Sequence, residues 1–450
     1  MERVVVIGGG NAGLCAAIES AERGSEVILI EASPEALRGG NSKYTRDIRY
    51  AHGEDRFTSG EYPRRELLED LRKVSGSSFS SSLAEMVVER SELIPEWMHR
   101  HGVRFKREIR GTLDLNRTNA FFMGGGKFLV DTYYSYLSKL KVRVLYETQV
   151  VSVGIRGNRI THVGATVPGG SVNIEGDRFV FASGGFEANR EWLSEFWGEA
   201  SQLIKVRGSR YNTGLPLRAL LDAGAIPAGL ERSGHMVAVD ARGPDYDGGI
   251  VTRIDAIPWG VAVNSSGERF YDEGEDIWPK RYAIWGRLVA EQKGCTAYVI
   301  TDKKTVGRYM PTAYPPFTSH SLSEVSDAFG IDRDGLIGTL DRFNRGIVME
   351  GNDPFMWHTT GVEPPKSHWA VPINTPPYMV FPVRPGLTFT YQGVAINSEA
   401  MILSQDGEIE NGFAAGEIAS GNVLSSGYLA GFGLTIGSVL GRIAGGWEGE

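Results

Sequence analysis

The chain has 450 residues, a formal charge of −8 and two cysteines, Cys15 and Cys295. Its acidic balance gives no electrostatic reason to expect nucleic acid or an anionic membrane surface as a partner, and two cysteines cannot build a disulfide framework. The length exceeds that of one compact core, so we expect two domains. No stretch reaches the ~18 consecutive apolar residues of a membrane span, and no signal peptide precedes the first strand, so we expect a cytoplasmic protein.

The beginning of the chain predicts a strand, a glycine turn, a helix and a second strand. Arg3–Ile7 is a β-branched apolar run of the kind that is buried on both faces of a sheet. The next residues, Gly8–Gly13, fit the pattern G-x-G-x-x-G. A helix is expected over about Asn11–Arg23, and Glu26–Ile30 reads as the second strand. This order of elements predicts a dinucleotide site.

The pattern leaves the identity of the dinucleotide open. Gly8 permits the tight turn, Gly10 lets the backbone approach a pyrophosphate, and Gly13 allows close packing of helix and strand. Glu31 ends the second strand, where a carboxylate can accept a hydrogen bond from a ribose hydroxyl. The acid argues against the 2′-phosphate of NADP but does not separate NAD from FAD.

Glycine turns and predicted elements alternate through the next part of the chain. The turn Gly39–Ser42 offers the backbone N–H groups of an anion-binding nest. An apolar stripe predicts one helix from Ser82 to about Gly102, and a second helix follows Gly124–Lys127. An antiparallel meander is then predicted from strands at Val142–Leu145, Gln149–Ile155, Arg159–Ala165 and Ser171–Ile174.

The amino-acid composition changes in the second half of the chain and, near the C-terminus, again resembles that of the first half. Phe179–Phe186 is another buried strand that ends in a glycine turn. The region from about Leu230 to Phe389 is richer in Trp, Tyr, Pro and charge, which favours an inserted domain. Helices are predicted near Arg281–Gln292, within Leu322–Glu350 and over Leu434–Ala444, and a strand is predicted over Glu410–Ala415.

Taken together, these pieces resemble the FAD-dependent flavoproteins of the fumarate reductase/succinate dehydrogenase family. The residues that carry the likeness are Gly8–Gly13, Gly39–Ser42, Phe181–Phe186, Gly267–Phe270 with Glu273, Ala414–Glu417 and Gly431–Gly437. Within the family the chain is most similar to tricarballylate dehydrogenases, through Arg38–Ser42 with Thr45 and Arg46, Arg117–Lys127 and Trp278–Tyr282. The flavoprotein part of one type of precorrin-3B synthase is similar over the same stretches.

The resemblance implies an α/β fold with FAD as the cofactor. A Rossmann-like FAD-binding domain is split between residues 1–231 and 389–450, and an α+β capping domain occupies 232–388. Asn41 stands where succinate dehydrogenases link a histidine to the flavin, so the FAD is expected to be non-covalent. The implied cofactor-binding residues are Gly8, Gly10, Asn11, Ala12, Gly13, Glu31, Gly39, Gly40, Asn41, Ser42, Val150, Ser183, Gly184, Gly185, Gly416, Glu417, Gly433 and Leu434.

The family's dicarboxylate-binding scheme is matched only in part. His235 falls on its first histidine, Phe389 takes the place of the second, and Tyr428 takes the place of the binding arginine. Arg281 is the counterpart of the arginine that carries the proton. The implied catalytic candidates are Arg281, His235, Tyr428, Tyr391 and Thr390, with Arg46, Arg49 and Arg117 as spare cations for carboxylates.

The resemblance implies an FAD-dependent oxidoreductase acting on CH–CH groups. The specific expectation is a C=C bond introduced next to a carboxylate, converting tricarballylate to cis-aconitate. Two alternatives stay open: desaturation of another carboxylate or of a ketone, as in ketosteroid dehydrogenases, and an electron-transfer module. The sequence has no cysteine cluster for an iron–sulfur centre and no haem-attachment motif. Reoxidation would therefore need a separate electron-acceptor protein or oxygen.

Overall fold

The computed structural model describes residues 1–75, 81–106, 115–275 and 282–448. Its helices are α1 Asn11–Glu22, α2 Arg64–Ser75, α3 Ser81–Ser91, α4 Ile94–Arg100, α5 Gly125–Lys139, α6 Arg190–Trp197, α7 Leu215–Asp222, α8 Trp285–Ala290, α9 Leu322–Phe329, α10 Arg333–Gly346 and α11 Phe432–Ala444. Its strands are β1 Arg3–Ile7, β2 Glu26–Ile30, β3 Asp47–Arg49, β4 Phe105–Lys106, β5 Asn119–Phe122, β6 Arg143–Leu145, β7 Gln149–Arg156, β8 Arg159–Val167, β9 Gly170–Glu175, β10 Arg178–Phe181, β11 Lys205–Val206, β12 Pro227–Ala228, β13 Gly234–Asp240, β14 Val261–Val263, β15 Ala297–Asp302, β16 Phe317–Ser319, β17 Ile347–Val348, β18 His358–Thr359, β19 Tyr378–Thr390, β20 Gly393–Val394, β21 Met401–Ser404 and β22 Gly407–Ala414.

The predicted first strand lies inside a six-stranded sheet of order β21-β22-β10-β1-β2-β6. Strand β1 is parallel to both neighbours, with Val5 opposite Ile28 of β2 and Phe179 of β10. Val5 and Phe179 are fully buried because helices cover the sheet. Helix α1 packs closely on α11: a Cβ at Gly441 would come within 2.3 Å of the Ala12 carbonyl oxygen. The predicted α/β fold class is confirmed.

One of the four predicted meander strands belongs to the parallel sheet instead. β6 pairs in parallel with β2, through Leu29 opposite Val144. The other three, β7, β8 and β9, form the antiparallel meander. A short edge strand and a hairpin strand carry the same β-branched composition, so sequence pattern alone did not distinguish them.

Two of the predicted helices differ from the observed elements. The helix predicted from Ser82 is divided into α3 and α4, and Pro95 stands in the first turn of α4. A proline there starts a helix well but cannot continue one, because it lacks the N–H group. The helix predicted near Arg281–Gln292 is shorter: Tyr282–Ile284 form a 3₁₀ turn and α8 follows.

A second sheet is built around the long strand β19. Strands β11, β13, β15 and β16 all pair with β19, and β14 pairs with β15. In the β13–β19 pair His235 lies opposite Phe389, next to a register shift between His235 and Met236. Leu387 and Phe389 of β19 belong to the same apolar core as the first sheet. The β13–β19 pair thus brings His235 and Phe389 close to the first sheet.

The division of the chain into 1–231, 232–388 and 389–450 stays a prediction. Over the ranges the structure describes, no helix combines the length and the apolar character needed to cross a membrane.

Candidate functional site

A long cleft opens at the carboxyl ends of β1 and β2. Ile7 and Ile30, the last residues of these strands, line it, as ligand sites in parallel α/β sheets do. Its empty volume is about 1460 Å³, including the solvent-open mouth. At these strand ends, the cleft therefore lies where a dinucleotide cofactor binds in folds of this kind.

The three motif glycines of the turn after β1 do not all lack a side chain for the same reason. Gly8 has φ +107°, and a Cβ there would lie 2.3 Å from the Ala182 carbonyl oxygen. A Cβ at Gly13 would lie 1.9 Å from the Gly8 carbonyl oxygen. A Cβ at Gly10 meets nothing closer than Ser42 Oγ at 3.5 Å, so a side chain there would fill only the cleft. Gly8 and Gly13 serve the fold, whereas Gly10 keeps space for a ligand.

Two helices begin at the cleft, and the residue before each of them is a glycine, which has no side chain to cap the helix. Gly10 precedes α1 and Gly431 precedes α11, neither makes a side-chain capping hydrogen bond, and neither first turn holds an acid. Gly433 and Leu434 of α11 also line the cleft. Such ends attract negative charge. A pyrophosphate at α1 and a reduced flavin at α11 match this arrangement, so the residues present fit FAD.

The predicted ribose acceptor is buried and held in place. Glu31 lines the cleft and is 5% exposed. Its Oε1 accepts a hydrogen bond from the Ser33 backbone N–H at 2.9 Å. This bond fixes the carboxylate at the end of β2, in the position that a ribose hydroxyl requires.

Asn41 is the centre of a hydrogen-bond network on the opposite wall. Its Nδ2 donates to Glu187 Oε1 at 2.6 Å and to the Thr388 carbonyl oxygen at 2.7 Å. Its Oδ1 accepts from the Ser209 backbone N–H at 2.8 Å. Burial raises the pKa of Glu187, and burial together with the nearby Glu187 raises the pKa of Glu417. The nitrogen and the oxygen of the Asn41 side-chain amide are thus both engaged in holding the loop.

A consequence of Asn41 concerns the attachment of the cofactor. Because an amide cannot form the histidyl–flavin bond, we expect acid denaturation to release all yellow colour as free FAD. Flavin fluorescence is measured in the supernatant after acid denaturation and in the polypeptide band after denaturing electrophoresis. Fluorescence that stays with the polypeptide would contradict a non-covalent cofactor.

Most other predicted cofactor residues also border the cleft. Those in its wall are Gly8, Gly10, Asn11, Ala12, Glu31, Gly40, Asn41, Ser42, Val150, Ser183, Gly184, Gly416, Glu417, Gly433 and Leu434. Gly13, Gly39 and Gly185 stand behind it, where a Cβ would strike Gly8, Val130 and Thr390 respectively. The lack of a side chain at these three positions lets the wall pack, and their role in binding the cofactor stays a prediction.

His235 and Tyr428 form an aromatic wall of the same cleft. The two rings stack in parallel with centroids 4.1 Å apart, and Tyr282 meets His235 edge-on at 5.5 Å. His235 Nε2 is buried and makes no hydrogen bond with the described residues. Burial, followed by the charges of Arg207 and Arg253, lowers the pKa of His235 well below its ordinary 6.5. His235 is thus a neutral imidazole at physiological pH.

The remaining predicted catalytic residues have different positions. Tyr428 accepts a hydrogen bond from the Gly433 backbone N–H at 3.0 Å. Tyr391 is fully buried behind the cleft wall, and its hydroxyl donates to the Gly427 carbonyl oxygen at 2.8 Å. Thr390 supports the wall through its N–H, which donates to Glu417 Oε1 at 2.8 Å. Arg281 lies outside the described residues.

The cleft contains two arginines that the sequence did not single out. Arg207 and Arg253 line it together with the predicted Arg46. Arg46 Nε lies 3.2 Å from Asp47 Oδ2, and Arg253 Nη2 donates to Asp255 Oδ2 at 2.9 Å. No local pattern marks Arg207 or Arg253, because each owes its burial to strands that are distant in sequence.

The other two predicted spare cations are engaged elsewhere. Arg49 is fully buried and donates to the Ala430 carbonyl oxygen at 2.9 Å and to Tyr62 Oη at 3.1 Å. Arg117 is part-exposed and pairs with Glu66. Neither belongs to the cleft wall, so neither is placed to hold a substrate carboxylate.

Comparisons with known proteins agree with this geometry. The chain is 24% identical to the NADH:fumarate oxidoreductase of Klebsiella pneumoniae, over 93% of the chain but only 44% of that relative. It is 26% identical to the fumarate reductase (cytochrome) of Shewanella frigidimarina, over 98% of the chain and 76% of the relative. The 3-ketosteroid Δ1-dehydrogenase of Sterolibacterium denitrificans shares the fold, with a TM-score of 0.78 at 18% identity over 99% of both chains.

By their names these relatives are oxidoreductases, in agreement with the predicted enzyme class. The FAD-binding domain model matches residues 3–434 and confirms FAD as the cofactor. The chain therefore belongs to the FAD-binding domain family of flavoproteins.

Proposed function

We propose that the chain is an FAD-dependent oxidoreductase acting on a CH–CH or C=C bond next to a carboxylate. The specific proposal is the dehydrogenation of tricarballylate to cis-aconitate. The observation that carries it is the group of three guanidiniums, Arg46, Arg207 and Arg253, in the cleft into which α11 begins. The flavin supplies a two-electron acceptor that takes a hydride from carbon.

The charges in this part of the cleft favour an anionic substrate. Arg46 and Arg253 each have a carboxylate partner, Asp47 and Asp255. Arg207 pairs with no carboxylate among the described residues, which leaves an excess of positive charge in a buried place. Guanidinium groups bind carboxylates through parallel hydrogen bonds. A substrate with several carboxylates would use more than one of them.

The aromatic wall offers side chains for two further tasks in such a reaction: hydrogen bonding to the substrate and proton removal. Neutral His235 is placed to donate a hydrogen bond to a carboxylate oxygen. A base must also remove the proton α to the carboxylate as hydride leaves the β carbon. The proton carrier remains a proposal: Arg281 by resemblance, with the Tyr428 hydroxyl as the alternative. The names of the relatives, which are fumarate reductases, support a carboxylate substrate.

Anaerobic bleaching of the flavin tests this function. Purified holoprotein should lose its absorbance near 450 nm (roughly the flavin maximum) when tricarballylate is added. Succinate serves as a dicarboxylate comparison, and 3-ketosteroid as a neutral one. Bleaching by none of the tri- and dicarboxylates would remove the proposal. Rapid reoxidation by air with peroxide would indicate that oxygen, rather than a separate protein, accepts the electrons.

A second candidate is desaturation of a ketone. It is favoured by Tyr428, whose hydroxyl lies in the cleft beside the Gly433 N–H group, a pair of polar groups that can face a carbonyl oxygen. Bleaching by the 3-ketosteroid but not by any carboxylate would select this candidate. The uncompensated charge of Arg207 speaks for the carboxylate instead.

A further inference from the structure

Arg207 is held in place by neutral groups only. It follows strand β11, whose Val206 lies opposite Leu387 of β19. Its Nε donates to the Gly249 carbonyl oxygen at 3.2 Å, and its Nη1 donates to Thr388 Oγ1 at 2.9 Å. Neither acceptor carries charge, and the described residues offer no carboxylate within ion-pair distance. A buried cation is thus oriented but not neutralised.

The fold makes room for this side chain. Gly386 lies beside it on β19, where a Cβ would come within 3.2 Å of Arg207 Cδ and 2.3 Å of Val239 Cγ1. Thr388 connects the arginine to the cofactor loop, because its carbonyl oxygen accepts from Asn41 Nδ2 while its hydroxyl accepts from Arg207. The guanidinium is therefore built into the same wall that faces the cofactor.

The buried and uncompensated charge of Arg207 is energetically unfavourable when no ligand is bound. Moving a charge out of water costs several kcal/mol unless an opposite charge compensates it. Burial, followed by the nearby positive charge of Arg253, lowers the pKa of Arg207 to about 10. An anion bound here would remove this penalty. Arg207 is only 6% exposed and lines the cleft, so a ligand reaches it through the cleft.

We propose that Arg207 is the substrate-binding residue that selects a carboxylate-bearing substrate over a neutral one. The inference rests on the proposed function and deepens it. Tyr428 stands where the fumarate reductase scheme has its binding arginine, and Arg207 supplies the missing charge from a different position, directly after strand β11. Thr388 is its positioning residue. A neutral ketone could accept a hydrogen bond from this group but would not neutralise its charge.

The test compares Arg207→Gln with Arg65→Gln, which removes the same charge from an exposed helix position paired with Glu69. Binding of tricarballylate, citrate and succinate to holoprotein is measured by calorimetry. Loss of one partner of a buried charged contact is worth ~2 kcal/mol or more, so Arg207→Gln should weaken tricarballylate binding at least ~30-fold. Arg65→Gln should bind as the wild type does.

The stability of the protein without a bound carboxylate distinguishes a binding role of Arg207 from a structural one. Since Arg207→Gln removes an uncompensated buried charge, its FAD content and urea midpoint without carboxylate should equal or exceed those of the wild type. A lower midpoint together with unchanged carboxylate affinity would make Arg207 structural and overturn the proposal. If Arg207→Gln loses FAD, Arg207→Met is measured instead, because methionine removes the charge and keeps a long, flexible side chain. Wild-type carboxylate affinity in Arg207→Met would then overturn the proposal.

The outcomes also separate this proposal from the proposed function. Carboxylate binding that depends on Arg207 without any bleaching of the flavin would sink the dehydrogenase proposal and leave Arg207 as an anion-binding residue. If tricarballylate bleaches the flavin and binds equally well to wild type and Arg207→Gln, the dehydrogenase proposal stands and the Arg207 proposal fails. A wild-type protein that binds none of the three carboxylates would overturn the Arg207 proposal.

Discussion

Gly10→Val is expected to give a folded but colourless protein. The Cβ of residue 10 finds no atom closer than 3.5 Å, and its backbone φ of −79° is accessible to any residue, so the fold can accept a side chain. The added methyl groups would then occupy the space beside the start of α1 where the backbone must approach a pyrophosphate. FAD content should fall below ~10% of the wild-type value, because no other route brings the phosphates to this helix.

The measurement combines the absorbance of purified protein with circular dichroism. Gly53→Val is the matched control, since Gly53 has no atom within 4 Å of its Cβ and lies away from the cleft. It should stay yellow. A yellow Gly10→Val protein with normal FAD content would mean that the cofactor does not lie against this turn. Loss of secondary structure in Gly10→Val would contradict the claim that the glycine serves the ligand rather than the fold.

The parts of the site that the sequence revealed are those whose chemistry is local. Gly8, Gly10 and Gly13 stand in a fixed order between a strand and a helix, so the motif can be recognised from the local sequence, although the atom that a Cβ at Gly8 would strike belongs to the distant Ala182. Glu31 and Asn41 likewise follow from positions within one βαβ unit and the loop after it. Backbone requirements of this kind leave a direct mark on the sequence.

Arg207 and Arg253 could not be found in that way. Their burial depends on β11 and β13, which both pair with β19 more than a hundred residues later in the chain. An arginine between polar and apolar residues looks the same on a surface and in a cleft. Arg49 and Arg117 show the converse, since their partners, Tyr62 and Glu66, are only visible once the chain has folded.

Two predictions of secondary structure were wrong, for related reasons. β6 was predicted as a meander strand because neither its composition nor its spacing shows which strand it pairs with. The interruption at Pro95 divided one apolar stripe between two helices, although the stripe continues across it. Long-range pairing decided the first case, and a single backbone restriction decided the second.

His235→Leu is expected to raise the KM for a carboxylate substrate by about 10- to 100-fold with little change in kcat. A hydrogen bond to a charged group is worth roughly 1.5–3 kcal/mol, and a group that holds the carboxylate equally in ground and transition states affects binding alone. Leucine has a similar volume and leaves no polar atom unsatisfied, whereas His235 Nε2 has no partner among the described residues. Folding should therefore survive the change.

The pH dependence of stability provides an independent check on the neutral state of His235. Its folded-state pKa lies well below the ordinary 6.5, so below about pH 6.5 the unfolded chain binds a proton that the folded protein does not. This histidine therefore lowers the stability of the wild type as the pH falls through that range, by up to ~1.4 kcal/mol per pH unit. His235→Leu should lose that part of the acid sensitivity, and His320→Leu, at an exposed position, should keep it. Urea midpoints at pH 7.5 and 5.5 measure the difference, and equal acid sensitivity in wild type and His235→Leu would show that folding does not lower the pKa of His235.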